Sequence, residues 1–137
     1  MKGLFVDTAG WTACADAADP SHAEAVAFRD RWLEQGGILL TTDYIIDETL
    51  TLLRFRLSLN AAEAWWSQIE SSSRLRWEFI DAERAGAARN IFFRYRDKDF
   101  SFTDCTSFVV MRELKISDAL TSDRHFTQMG FTAKPDG

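Results

Sequence analysis

Short apolar runs alternate along this chain with longer segments in which apolar side chains recur every three or four residues. Gly3 to Val6 is too short for a helix and reads as a buried strand, leaving Asp7 at its carboxyl end. Ala9 to Ala18 reads as a short helix that stops before Asp19-Pro20. Ser21, with Glu24 three residues on, marks the start of a second helix. That helix carries Ala25, Phe28, Trp32 and Leu33 at helical spacing and ends at Gly36-Gly37. Ile38 to Leu40 is the next strand, and Thr41-Thr42 caps a helix running to about Leu57. A helix from Asn60, as its N-cap, to Glu70, a strand over Leu75 to Ile80 and a helix over Asp81 to Tyr95 follow. After Ser101 comes a mostly apolar helix, then a strand over Ile116 to Thr121 and an edge strand over Phe131 to Ala133.

Strands alternating with helices predict an α/β domain with a central, mainly parallel β-sheet flanked by α-helices. No linker-like stretch divides residues 1–137, so one domain is expected. Ligands of such sheets bind beyond the carboxyl ends of the strands. Asp7 and Asp123 fall there, and Glu48 and Asp104 lie near the starts of helices that follow toward the same end. On a helical wheel Glu48 sits between Ile45, Leu52 and Phe55 at the margin of the apolar face. Asp47 joins Asp43, Thr51 and Arg54 on the polar side. Ser101-x-x-Asp104 fits a capping box, which by itself accounts for an acid at that point. The helix beyond it is surrounded by Cys105, Phe108, Val109, Val110, Met111 and Leu114, however, and an acid at the mouth of a buried helix needs a cation or a polar pocket.

Composition narrows the chemistry. Cys14 and Cys105 are too few for a disulfide framework and, like His22 and His125, have no metal-ligand spacing, so any metal site must be built of oxygen. Both histidines read as surface or hydrogen-bonding residues. No apolar run approaches the roughly 20 residues of a membrane span and no signal peptide is visible, so a cytoplasmic protein is expected. The formal net charge of −5 argues against a broad basic nucleic-acid surface. Cations do cluster locally, at Arg94, Arg96 and Lys98, and these with Arg124 are the phosphate-contact candidates.

Asp7, Glu48, Asp104 and Asp123 would repel one another if packed together without cations. Hard ions such as Mg²⁺ or Mn²⁺ take carboxylate oxygens and water while leaving positions open for phosphate, which makes phosphodiester hydrolysis the natural reaction.

The segments Phe5-Val-Asp7-Thr, Thr42-Asp-Tyr-Ile-Ile-Asp-Glu48-Thr-Leu, Asp97-Lys-Asp-Phe-Ser-Phe-Thr-Asp104-Cys-Thr-Ser-Phe and Ala119-Leu-Thr-Ser-Asp123-Arg-His-Phe resemble PIN-domain nucleases, including toxin ribonucleases of VapC type. The resemblance implies a Rossmann-like PIN fold and a Mg²⁺- or Mn²⁺-dependent endoribonuclease, with Asp7, Glu48, Asp104 and Asp123 as the catalytic and metal-binding acids. It also implies Thr8, Thr103 and Ser122 as polar supports, an RNA substrate, a cognate antitoxin and a homodimer, for which Trp65 or Trp66 could supply exposed aromatic surface. Two alternatives stay open: a solitary PIN nuclease in RNA processing, and a receiver-like phosphoryl-transfer domain suggested by strand-end Asp7 and Lys134-Pro135. The second is disfavoured because Asp47 and Glu48 fall inside a helix and Asp7 begins no D-x-D motif.

Overall fold

The computed structural model describes residues 2–136. Its elements run β1 (Gly3–Val6), α1 (Thr8–Ala15), α2 (His22–Glu34), β2 (Ile38–Thr42), α3 (Asp43–Arg56), α4 (Leu59–Ser71), β3 (Leu75–Glu78), α5 (Ala82–Arg94), α6 (Phe102–Glu113), β4 (Asp118–Leu120), α7 (His125–Gln128) and β5 (Thr132–Lys134). The sheet has five strands in the order β3-β2-β1-β4-β5, and every neighbouring pair is parallel. The expectation of a mainly parallel sheet thus becomes an all-parallel one. The central strand β1 is wholly apolar and buried at Leu4, Phe5 and Val6, as a strand covered on both faces must be.

β1 pairs with β2 on one side and β4 on the other, so the strand order reverses beside β1. This is the switch point at which α/β sheets open a crevice. Val6 is in register with Leu120, which sets the next residues, Asp7 and Thr121, side by side at the sheet's carboxyl edge. Helix α1 rests directly on that edge, because a Cβ at Gly10 would collide with the Leu120 carbonyl oxygen. Beneath it Phe5, Phe108 and Phe126, all fully buried, pack with ring centroids 6.3 and 5.2 Å apart. Among the described residues no helix is long and apolar enough to cross a membrane.

Several element boundaries differ from the sequence expectation, each for a local reason. Helix α1 ends at Ala15 rather than Ala18: Asp16 accepts the Ala18 N–H and Asp19 the Ser21 N–H, both at close range (2.9 and 2.8 Å), turning the chain away. The N-cap of α4 is Ser58, whose hydroxyl accepts the Ala61 N–H at 3.0 Å, so Asn60 lies inside the helix. β3 stops at Glu78 because the Ile80 N–H goes to Asp43 Oδ1 at 2.9 Å instead of to the sheet. β4 starts only at Asp118, because Lys115 and Ile116 close α6 with a Schellman turn. In that turn Lys115 has φ 55°, its N–H donates to Arg112 O at 3.2 Å and the Ile116 N–H donates to Met111 O at 2.8 Å. Glycine usually marks such a turn, and its absence hides this one. Trp65 is 5% exposed and packs edge-on against Trp11, so it belongs to the core and not to an exposed aromatic surface; Trp66 is half-buried.

Candidate metal-binding active site

Four elements deliver four acids to one basin of about 310 Å³, lined by Asp7, Glu48, Asp104 and Asp123 together with Thr8, Ser122 and a few neighbours. Asp7 is there because β1 ends: it is the N-cap of α1, its Oδ1 accepting the Gly10 N–H at 2.8 Å. Its Oδ2 accepts the Thr121 hydroxyl at 2.7 Å. Only 5% exposed, Asp7 is pushed up to a pKa of about 7, first by burial. The Thr121 and Gly10 hydrogen bonds oppose the shift, and the neighbouring Asp123 and Asp104 add to it.

Asp104 does form the capping box with Ser101. Ser101 Oγ accepts the Asp104 N–H at 2.9 Å and Asp104 Oδ2 accepts the Ser101 N–H at 3.0 Å. The same Oδ2 meets His125 Nδ1 at 3.0 Å. Asp123 Oδ1 accepts the His125 N–H at 2.9 Å and also lies 3.0 Å from His125 Nδ1, so one imidazole nitrogen bridges two of the acids. Burial, then the nearby Asp123, raise the Asp104 pKa, against the Ser101 hydrogen bonds and His125.

Glu48 projects from the second turn of α3, exposed to solvent yet lining the basin. The wheel set Glu48 at the margin of an apolar face with Leu52 and Phe55; in the structure its carboxylate is wet and Phe55 is 79% exposed, so this end of the stripe faces water, and Glu48 lines the basin from the solvent side. Asp47, solvent-exposed, lines a neighbouring hollow of about 540 Å³ instead.

The donor set fits a hard divalent cation. Asp104 and Asp123 each spend one oxygen on protein donors; among the described residues, their other oxygens and both of Glu48 have no protein hydrogen bond. Buried Thr8 Oγ1, on the basin wall, likewise has no partner. Among the described residues, ligand atoms of Asp104, Asp123 and His125 lie within 4.8 Å of one another, a group that Asp7 and Glu48 do not join and that brings in one nitrogen the sequence did not nominate as a ligand. Oxygen-rich donors, crowded carboxylates and a protonatable Asp7 are what a bound Mg²⁺ or Mn²⁺ would relieve. Neither thiol competes as a nucleophile: Cys105 is buried and its pKa is pushed up to about 11, and burial raises that of Cys14 as well.

The supporting residues separate. Thr8 and Ser122 line the basin, whereas Thr103 lines the neighbouring hollow with Glu48 and Leu52. Arg124 lines a third hollow, joined to the basin through Ser122 and Asp123. Arg94, packed on the Tyr95 ring at 5.6 Å, Arg96, and Lys98, paired with Asp97 at 3.3 Å, line none of these spaces. Three residues that the sequence did not nominate for the site stand in it. Thr121 holds Asp7 and accepts the Asp123 N–H at 2.9 Å; His125 bridges two acids; Arg56 lines the basin. Only Arg56 left a legible signal, one helical turn beyond Leu52 and two beyond Glu48 on one stripe.

Comparison with known proteins points the same way. The PIN domain profile matches residues 4–132. The chain is 34% identical over 128 residues to the 23S rRNA-specific endonuclease VapC20 of Mycobacterium tuberculosis, covering 93% of this chain and 95% of that protein. It is 33% identical over 114 residues to a VapC ribonuclease of Archaeoglobus fulgidus, covering 82% and 72%. The crystal structure of M. tuberculosis VapC20, described as a Sarcin-Ricin loop cleaving toxin, superposes with a TM-score of 0.84 at 33% identity, over 94% of this chain and 96% of that one.

Proposed function

The chain belongs to the PIN-domain family, and on that premise we propose that it is a Mg²⁺- or Mn²⁺-dependent endoribonuclease of VapC type, acting as the toxin of a toxin–antitoxin pair. The observation that carries the proposal is the single basin lined by Asp7, Glu48, Asp104 and Asp123 from four separate elements. The relatives named as ribonucleases and as a ribosomal-RNA endonuclease support the substrate class.

The roles follow from the hydrogen bonding. Asp7, fixed by Gly10 and Thr121, would be a rigidly held ligand of the ion. Asp104 and Asp123, held through one oxygen each by Ser101 and His125, would use the other to hold the ion. Glu48 closes the set from the solvent side, where its freedom suits it to hold an ion through water or to orient the attacking water. When bound, the divalent ion supplies an acidified water and neutralises charge building on the phosphate. Thr8 and Ser122 offer hydroxyls to the reacting phosphate or its water. Arg124, beside Asp123 in the adjoining hollow, is placed to contact a neighbouring phosphate.

The full chain then works as one PIN domain inside the cell, where its RNA lies. The proposal includes a homodimer, and the acidic basin suits a basic side chain of a cognate antitoxin. The test is cleavage of total cellular RNA, with 23S rRNA included as a separate substrate, in Mg²⁺, Mn²⁺ or EDTA, with fragment ends mapped. Metal-dependent fragments with discrete ends are expected. Equal cleavage in EDTA, or none in any condition, would refute the assignment. Growth arrest on induction, relieved by a small protein encoded beside it, separates a toxin from a solitary processing nuclease.

A further inference from the structure

We propose that Arg54-Phe55-Arg56, at the end of α3, forms an RNA subsite beside the acid basin: Phe55 stacks on a base of a single-stranded segment while Arg56 holds the phosphate entering the basin. The inference rests on the ribonuclease reading and adds to it the element that grips substrate. Phe55 is 79% exposed, an apolar ring left in water. Arg54 and Arg56 on either side are both exposed, and among the described residues neither makes an ion pair. Arg56 stands in the wall of a basin otherwise carrying Asp7, Asp19, Glu48, Asp104 and Asp123, and among the described residues it is the basin's only cationic side chain. Helical spacing puts Phe55 on nearly the same azimuth as Glu48, two turns farther along, with Leu52 and Arg56 next to it.

An exposed ring between two unpaired cations suits a polyanion whose bases present π-faces. The same arrangement disfavours a second copy of this chain, because a symmetric contact through Phe55 would bring like-charged arginines together. Leu57 and Leu59, 42% and 59% exposed, extend the apolar surface past the corner. For that reason a protein partner is the competing occupant the test must separate.

Binding is read by fluorescence anisotropy with the full chain, a labelled oligouridine and Ca²⁺ in place of Mg²⁺, the probe being checked as intact. Phe55→Ala and Phe55→Leu should each weaken binding about tenfold, and Phe55→Trp should restore it, since stacking needs a π-face and not just apolar area. Arg56→Ala should lower the salt slope of log Kd by about 0.7, the loss of one phosphate contact, while Mn²⁺ affinity holds. Thermal unfolding of these surface variants should match wild type. Wild-type RNA affinity in Phe55→Ala and Arg56→Ala would overturn the inference, as would restoration by Phe55→Leu, or a loss of self-association with RNA binding intact. A wild-type chain that cleaves no RNA overturns the parent reading instead.

Discussion

Thr121 donates its hydroxyl to Asp7 Oδ2 at 2.7 Å across 114 residues of sequence. Thr121 Oγ1 in turn accepts the Asp123 N–H at 2.9 Å, so one side chain fixes acids from the ends of two adjacent strands. Thr121→Val keeps the shape and removes both bonds, stranding a buried carboxyl and a backbone N–H. The expected cost is about 1–3 kcal/mol in urea unfolding, together with weaker Mn²⁺ binding in calorimetry. Thr121→Ser should retain both properties; a Val variant indistinguishable from wild type would rule out the role.

Asp7→Asn and Asp104→Asn should each abolish RNA cleavage with unchanged circular dichroism. Asp7→Asn should also raise the melting temperature of the metal-free protein at pH 8, because burial and the neighbouring acids disfavour its charge. Cleavage at the wild-type rate in either purified variant contradicts the proposed site.

The Asp7 shift fixes a pH dependence. Its pKa rises from 3.8 to about 7 on folding, so in between the folded, metal-free chain holds a proton that the unfolded chain has released. The contribution to stability is fully present below about pH 4 and is lost as the pH rises through about 7, at no more than about 1.4 kcal/mol per pH unit. The difference in unfolding free energy between wild type and Asp7→Asn across that range isolates it. Ligation needs the carboxylate, so Mn²⁺ affinity should fall below pH 7, and titration in buffers of different ionisation enthalpy should show proton release.

His125 Nδ1 lies 3.0 Å from both Asp104 Oδ2 and Asp123 Oδ1. His125→Asn places an amide near the Nδ1 position, whereas His125→Gln places one near Nε2. Mn²⁺ affinity should therefore drop about tenfold or more in the Ala and Gln variants and recover in large part with Asn. Equal losses in all three would mean that the ring acts by packing against Phe100, 5.5 Å away, and not through Nδ1.

Gly10→Ala should destabilise the chain by about 1–3 kcal/mol or more, since its Cβ meets the Leu120 carbonyl and α1 must lift from the sheet edge. Because Gly10 N–H also holds Asp7, cleavage should fall further than the population of folded protein does.

Much of this was legible in the chain. The apolar run before Asp7, the stripe carrying Glu48 and the Ser101–Asp104 box are local patterns, set by steric and hydrogen-bonding rules acting within a few residues. They were enough for the α/β class and to nominate the four acids that line one basin. The cation candidates Arg94, Arg96 and Lys98 came from clustering in sequence, which carries no information on distance from a pocket, and they stand outside the basin that Arg56 lines.

By itself the sequence determined that Asp7 follows a strand and that Asp104 caps a helix, because the end of β1 and the Ser101–Asp104 box depend on residues close in the chain. Only the tertiary structure decided that β1 lies between β2 and β4, that Asp7 and Thr121 meet, and that His125 bridges Asp104 and Asp123. Those relations depend on strand order and register, which are fixed by burying both faces of a parallel sheet at once. Local pattern cannot tell whether Thr121 or Ser122 turns toward Asp7: side chains alternate along a strand, and the register of β1 with β4 settles the choice.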